Sequence, residues 1–342
     1  MKQHNHGIDM LRFTAALMVT LFHLNQAIIP VHNWYRNTIN NGWLGVPVFF
    51  VISGYCIIAS AHYTKEVRTF LIKRFFRIFP PYWLSLAIVF SSAIFQKLYT
   101  GTNSVHNLPN DFFALSANLT LTTAPFSKID TINWVYWSLT CEVAFYLLIG
   151  LAMVFNKKYL TNFLIAISIV SALAAKQDYG LLFFLDHWPA FGLGVSIYYF
   201  FKIPNWRGAL NFSLLLILNS FSLYHKHTDR PEYLTVALIT SLLVYFSIRF
   251  PVKENIFAKL GKHSYSVYLI HVPVGVFIIG VLESEQIKTT PYLNLVYDLC
   301  IFSIISLLAY GIYALVETPL IKYGNKLTTE KTKSTPVNKV TV

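Results

Sequence analysis

Residues 8–24 read IDMLRFTAALMVTLFHL, a segment apolar and long enough to enter a bilayer that still carries three ionisable side chains. A helix turns about 100° and rises about 1.5 Å per residue, so Arg12 and His23 lie on one face, about 16 Å apart. Asp9 precedes Arg12 by about one turn and is close enough to hold it. Because ionisable groups are costly inside a span, this stripe predicts a functional helix. The structural alternative is an interfacial Arg12 and a hydrogen-bonded core His23.

Composition places the chain in a membrane. Of 342 residues, 55% are hydrophobic and 12% are charged, about half the charged fraction of a soluble domain. The formal net charge of +12 would suit a nucleic-acid partner, but the positions of the basic residues argue against one. Three cysteines lie in apolar segments without metal-ligand spacing, so we expect core packing and no metal site. They are Cys56, Cys141 and Cys300.

Hydropathy predicts an all-α, polytopic membrane bundle of about ten transmembrane helices, each about 20 residues long. One transmembrane domain covers 1–320, and a basic tail with the composition of a disordered segment covers 321–342. The polar segment 101–132 is predicted to be an outer loop or partly re-entrant. The predicted spans are 8–29, 43–62, 82–100, 133–155, 159–176, 181–201, 208–225, 233–249, 264–282 and 292–315.

Lysine and arginine predict the orientation, because cytoplasmic loops are enriched in both. With a cytoplasmic N-terminus, 20 of the 27 basic residues fall on the inner side. The other seven are Arg36, Lys97, Lys128, Lys176, Lys226, Arg230 and Lys288. Both termini are therefore predicted to be cytoplasmic.

Two further segments each allow a structural and a functional interpretation. In FFVISGYCI, residues 49–57, Ser53 and Gly54 are small enough for close helix packing but can also line a pocket. In KEVRTFLIKRFFRIFPPYW, residues 65–83, the basic side chains fit positive-inside charge on an interfacial helix. They equally fit a phosphate-binding rim, for which arginine is well suited.

Ionisable residues recur in three later segments. In WSLTCEVAFYLL, residues 137–148, Glu142 lies about 14 Å deep, level with His23, which suggests an acid/base or orienting pair. A buried Glu142 paired with an arginine is the alternative. In GKHSYSVYLIHVP, residues 261–273, Tyr265 and Tyr268 lead to His271. The closing ETP is expected to end the tenth span, with Glu317 paired to an inner-side lysine or arginine.

These segments, in this order, resemble the membrane acyltransferase-3 family, bacterial transmembrane acyltransferases that modify surface glycans. The resemblance extends from residue 8 to about 319 and rests on six motifs. They are IDMLRFTAALMVTLFHL, FFVISGYCI, KRFFRIFPPYW, WSLTCEVAFYLL, SYSVYLIH and ETP. It implies a multi-pass protein of the bacterial inner membrane that takes acyl-CoA from the cytoplasm as donor substrate, with no permanently bound cofactor.

The motifs and the resemblance together give candidate roles for individual residues. The catalytic candidates are Arg12, His23 and Glu142. The candidates for contacting the acyl-CoA phosphates are Arg12, Lys73, Arg74 and Arg77. Candidates for substrate contact or structural support are Ser53, Trp137, Tyr268 and His271.

The predicted function is O-acyl transfer, with acetyl the expected group. Acceptors would be a sugar hydroxyl of O-antigen, capsule, exopolysaccharide or a lipid-linked precursor. We expect lipid bilayer, acyl-CoA and a glycan or lipid-linked sugar as partners; the sequence gives no oligomeric state. Succinyl or longer-chain transfer stays open. A proton-coupled transporter of a glycan or anionic substrate is the main alternative, although the paired broken helices of inverted repeats are not evident.

Overall fold

The computed structural model describes residues 4–26, 32–101, 108–155, 157–177, 179–202, 205–279 and 284–334. Within these ranges the regular structure is helical and contains no strand, which confirms the predicted all-α class. The helices are α1 His6–Gln26, α2 Trp34–Ile39, α3 Gly45–Tyr63, α4 Val67–Thr100, α5 Phe112–Thr120, α6 Trp137–Phe155, α7 Leu160–Leu173, α8 Phe184–Lys202, α9 Trp206–Lys226, α10 Pro231–Arg249, α11 Ile256–Gly261, α12 Ser264–Ile270, α13 Glu285–Thr289, α14 Pro291–Ile312 and α15 Thr318–Ser334.

The predicted membrane bundle is confirmed, and each of the ten predicted spans contains helix; residues 27–29 and 280–282 of these spans lie outside the described ranges. Seven helical segments in the described ranges are long and apolar enough to cross a bilayer. They are His6–Gln26, Trp34–Tyr63, Val67–Phe95, Trp134–Phe155, Leu181–Lys202, Pro231–Arg249 and Pro291–Thr329. Two more, Leu160–Leu173 and Ser264–Val276, are apolar but shorter.

The remaining predicted span, 208–225, corresponds to α9, whose buried face carries polar residues as well as leucines. Asn219 and Ser222 are fully buried there, and the Ser222 hydroxyl lies 3.1 Å from the hydroxyl of Ser171 on α7. Gly192 of α8 packs against the Asn219 side chain, since a Cβ at Gly192 would lie 2.4 Å from Asn219 Oδ1. Small and polar residues therefore pack this helix into the bundle, as is common between membrane helices.

Helices α3 and α8 approach each other closely because both carry glycine at their contact. A Cβ on Gly54 would lie 2.0 Å from the carbonyl oxygen of Phe191. A Cβ on Gly194 would lie 1.9 Å from the carbonyl oxygen of Val51. The packing interpretation of FFVISGYCI thus holds for Gly54.

The polar segment 101–132 is held against α4 where the structure describes it. Tyr82 OH donates to the Asn118 carbonyl at 2.5 Å, and Trp83 Nε1 donates to the Leu119 carbonyl at 2.9 Å. Helix α5 has nine residues, too few to span a bilayer. Residues 102–107 lie outside the described ranges.

The C-terminal prediction is corrected by α15. The chain passes from α14 through a π-helical turn at Tyr313–Glu317 into α15, so the helix continues past ETP, and residues 321–334 are helical and not disordered. Pro319 comes just after this turn, where the helical hydrogen bonds change spacing and the Thr318 N–H donates to the carbonyl of Tyr313, five residues back. Phe76 of α4 supports the helix, with its ring centroid 5.5 Å from that of Tyr323. Residues 335–342 lie outside the described part of the chain.

Candidate active site

Helices α1, α3, α4, α6 and α12 enclose a cavity of about 100 Å³, here called the inner chamber. It is lined by candidate site residues from five separate sequence motifs. These are Arg12, Ser53, Arg74, Arg77, Glu142 and Tyr268. Side chains up to about 256 residues apart in the sequence thus share one cavity inside a membrane bundle.

Glu142 accepts hydrogen bonds from two hydroxyl groups. Ser53 Oγ donates to Glu142 Oε1 at 3.0 Å, and Tyr146 OH donates to the same oxygen. Glu142 forms no ion pair among the described residues, so the alternative of a carboxylate paired with arginine does not hold. Three arginines nevertheless line the same chamber, which makes it net positive.

Arg12 stands at the chamber wall and is held from its own helix. Its Nη1 donates to Asp9 Oδ1 at 3.4 Å, which confirms the predicted Asp9–Arg12 contact. Its Nη2 lies 3.5 Å from Cys56 Sγ on α3. About a quarter of the Arg12 side chain stays exposed (27%), so the guanidinium remains accessible to an anionic ligand.

Asp9 has a second partner, His4, which approaches it from the start of the chain. The ligand atoms of His4, His6 and Asp9 lie within 4.8 Å of one another, a spacing that a metal ion can use. In the structure the Asp9 carboxylate is instead engaged by His4 and Arg12. This cluster therefore supports the Arg12 side chain.

Arg74 is bound differently from the other two arginines. Its Nη2 donates to Ser60 Oγ at 2.9 Å, and its Cζ lies 5.8 Å from the ring centroid of Tyr146. It forms no ion pair with any carboxylate in the described ranges. Of the three chamber arginines, Arg74 is the one whose charge is not matched by a bonded carboxylate, which suits it to a phosphate.

Arg77 forms an ion pair with Glu317, whose side chain is fully buried. Ser266 Oγ donates to the other carboxylate oxygen at 2.9 Å, and the Arg77 guanidinium lies over the Tyr265 ring at 5.8 Å. The expectation that Glu317 pairs with a basic residue is confirmed. The pair joins the π-helical turn that precedes α15 to α4 and gives Arg77 a structural role at the chamber wall.

A second and larger cavity of about 650 Å³, here called the vestibule, opens at the end of the bundle where α1 begins and α3 and α8 end. Lys73 lines the vestibule and not the inner chamber. Lys202 also lines it, with Nζ 5.1 Å from the ring centroid of Tyr63. Cys56 lines both cavities, and Ser60 of the vestibule binds Arg74 of the chamber. The two cavities are therefore adjacent.

His23 lies at the other end of α1, away from Glu142. Its Nδ1 lies 2.9 Å from Gln26 Oε1, and its ring centroid lies 5.3 Å from that of His271 and 6.3 Å from that of Trp134. The contacts of Glu142 in the described residues do not include His23. No hydrogen bond joins His23 to Glu142 in the described residues, because depth and helix face do not determine which neighbouring helix a face meets.

Tyr268 connects the inner chamber to the histidines. It lines the chamber, and its hydroxyl donates to the Val135 carbonyl at 2.5 Å and lies 2.6 Å from Ser138 Oγ. His271 begins a π-helical segment, and its ring centroid lies 5.4 Å from that of Tyr268. The rings of Tyr268, His271 and His23 thus form a series that leads from the chamber to the far end of α1.

Trp137 lies to the side of this series. Its ring is 6.1 Å from that of Phe50, which lines the chamber, and 5.0 Å from that of His187. It supports the chamber wall through Phe50 and does not itself line the cavity.

The fold and site define a polytopic membrane protein with a basic, two-part internal cavity and histidines beyond its inner part. The chain belongs to the acyltransferase-3 family, whose model, described as an acyltransferase domain, matches residues 5–314. The predicted family is confirmed, and the protein is an acyltransferase.

Curated relatives agree with this family. Over 295 residues the chain is 26% identical to a protein of Acidianus two-tailed virus named provisionally as an acetyltransferase, covering 79% of this chain and 83% of that protein. It is 26% identical over 376 residues to a provisionally named O-acetyltransferase of Staphylococcus aureus strain COL, covering 94% and 58%. It is 25% identical over 370 residues to the peptidoglycan O-acetyltransferase OatA of Listeria monocytogenes, covering 93% and 56%. The chain thus spans little more than half the length of these two bacterial relatives, and no solved structure matches it.

Proposed function

We propose that this protein is an O-acetyltransferase of the bacterial inner membrane. It transfers acetyl from cytoplasmic acetyl-CoA to a sugar hydroxyl of a surface glycan, such as O-antigen, capsule or exopolysaccharide, or of a lipid-linked precursor. The observation that carries the proposal is the arrangement of two adjacent cavities, the larger vestibule and the smaller inner chamber. A basic vestibule meets a small chamber with an uncompensated arginine, and an aromatic series runs from that chamber to His23. The names of the curated relatives support acetyl as the transferred group.

The two adjacent cavities would hold the two ends of the donor. Acetyl-CoA has a nucleotide with several phosphates at one end and a narrow arm with the thioester at the other. The vestibule would hold the nucleotide beside Lys73 and Lys202, and the narrow chamber would admit the arm past Arg12 and Arg74. Arginine forks bind phosphate oxygens in two-point contacts. Arg77, already paired with Glu317, contributes charge to the wall.

The proposed chemistry is a single displacement. The acceptor oxygen attacks the thioester carbonyl as His23 takes the hydroxyl proton, the C–S bond breaks, and the CoA thiolate leaves and is protonated. The acceptor would approach His23 from the end of the bundle opposite the vestibule. Glu142 fixes the hydroxyls of Ser53 and Tyr146 at the chamber wall, and it does not orient the imidazole.

Transfer from labelled acetyl-CoA by purified protein in detergent tests this function. We expect release of CoA that depends on an added glycan acceptor, and label on that acceptor. A proton-coupled transporter would instead accumulate glycan in proteoliposomes without releasing CoA. Glycan uptake without CoA release would contradict the proposed enzyme and favour a transporter.

The vestibule predicts a donor-specific effect of Lys202. Lys202→Ala should raise the KM for acetyl-CoA by about tenfold, since a hydrogen bond to a charged group contributes about 1.5–3 kcal/mol and this side chain is exposed. The KM for acetyl-pantetheine, which lacks the nucleotide, should not change. Lys176→Ala, an exposed lysine paired with Asp229 outside the vestibule, is the matched control. Equal loss with both donors would show that the nucleotide does not bind beside Lys202.

The charge distribution predicts the membrane orientation on which donor entry depends. Reporter fusions after Ser334 should be active only with a cytoplasmic reporter, and fusions after Leu108 only with a periplasmic one. The opposite pattern would put the vestibule outside the cell and contradict donor entry from the cytoplasm.

A further inference from the structure

The hydrogen bond between His23 and Gln26 determines which ring nitrogen of His23 can act as a base. Gln26 is the last residue of α1, three positions after His23, so both side chains lie on one face of the final turn. Its Oε1 lies 2.9 Å from His23 Nδ1. With the amide oxygen toward the ring, as in this structure, Oε1 can only accept a hydrogen bond, so Nδ1 carries the proton and donates. In the neutral ring, Nε2 then holds the lone pair.

His271 does not occupy that lone pair. Its Nδ1 lies 2.7 Å from the Tyr268 carbonyl oxygen, which also only accepts, so His271 Nδ1 carries a proton as well. The Nε2 of His271 is buried and has no hydrogen-bond partner in the described structure. Two unprotonated nitrogens cannot bond to each other. Although the two rings lie 5.3 Å apart, His23 Nε2 therefore stays available to an incoming hydroxyl.

We infer that Gln26 is a positioning residue that keeps His23 in the Nδ1–H form with Nε2 as the reacting nitrogen. The inference rests on the proposed function of His23 as the base toward the acceptor hydroxyl. A partner that accepts a hydrogen bond from one imidazole nitrogen is the usual means of fixing the tautomer of a catalytic histidine. Here a neutral amide on the same helix fills that position, and Glu142 does not.

Three variants test the inference. Gln26→Leu removes the acceptor, and Gln26→Glu keeps an acceptor oxygen on a side chain of the same length. Gln26→Leu should lower kcat about 100-fold with little change in the KM for acetyl-CoA; in serine proteases, loss of the tautomer-fixing partner lowers kcat by about 10⁴. Gln26→Glu should keep most of the activity. The matched control is Gln286→Leu, an exposed glutamine on α13, which should behave as wild type.

A spectroscopic readout separates positioning from packing. In ¹⁵N-histidine spectra of detergent-solubilised full-length protein, with the His23 signals assigned by His23→Asn, we expect a protonated Nδ1 in wild type and Gln26→Glu. In Gln26→Leu the proton should move toward Nε2. Unchanged His23 spectra in Gln26→Leu would overturn the inference, whether activity falls or not. Because this measurement needs no turnover, it decides the tautomer even if no acetyl transfer is found, which would count against the proposed function alone.

Discussion

His23→Ala is expected to lower single-turnover acetyl transfer by about 10²–10⁴-fold and to leave the affinity for acetyl-CoA close to normal. A positioned general base contributes about that factor to a rate, and His23 lies outside both cavities proposed for the donor. The measurement is donor affinity by equilibrium binding and transfer by rapid quench, on protein whose fold is checked by its thermal unfolding.

Two outcomes would contradict this expectation. Substantial transfer by His23→Ala would make the imidazole a packing residue, and a parallel loss of donor affinity would place it in the donor site. The matched control is His225→Ala, an exposed histidine on α9, which should leave both quantities unchanged. A His271→Ala variant adds a further comparison, because that ring is fully buried and contacts both His23 and Tyr268.

The sequence predicted contacts well where helix geometry alone determines them. Asp9 and Arg12 are three residues apart on one helix, and the predicted contact is present at 3.4 Å. Gln26 stands in the same relation to His23, but its side chain is uncharged and lies two residues beyond the motif that ends at Leu24, so charge alone does not point to it. The i, i+3 spacing that identified Asp9 would also have identified Gln26.

Contacts between helices were predicted by type but not by partner. A buried Glu317 needs a cation, so an ion pair was expected, but only the packing of α15 on α4 shows that Arg77 supplies it. Glu142 and His23 lie at similar predicted depths, yet α6 and α1 turn these residues toward different neighbours. Depth follows from counting residues, whereas the rotation of each helix in the bundle follows from glycine contacts such as Gly54 with α8.

The vestibule shows a different limit of sequence reasoning. Lys202 had been counted with the positive-inside charges, and nothing in its immediate sequence separates it from the others. Its position beside Lys73 depends on α3 and α8 ending at the same level. A lysine that only sets membrane orientation and a lysine that binds a ligand therefore look alike in sequence. They differ in whether the folded structure places them beside a cavity.

Glu317→Ala is expected to destabilise the protein by about 3–5 kcal/mol, because it leaves Arg77 with a charge that no other bonded carboxylate offsets. The loss should appear as a lower unfolding temperature in detergent. Replacing both partners, Arg77→Met with Glu317→Leu, should recover much of it, since a buried pair can often be replaced by apolar residues without net loss. A double variant no more stable than Glu317→Ala would show that the pair is not the cause.

Arg74→Ala is the matched comparison, because this arginine donates a hydrogen bond to the Ser60 hydroxyl and forms no ion pair in the described structure. Its stability should stay near that of wild type, while its KM for acetyl-CoA should rise about 10–150-fold, the range expected for losing a charge-assisted contact of about 1.5–3 kcal/mol. The two arginines lie one turn apart on α4 and would then have different roles. Arg77 would hold α15 to the bundle, and Arg74 would bind the donor. If Glu317→Ala is stable and Arg77→Ala instead raises the KM for acetyl-CoA, then Arg77 is a donor contact, as the sequence predicted.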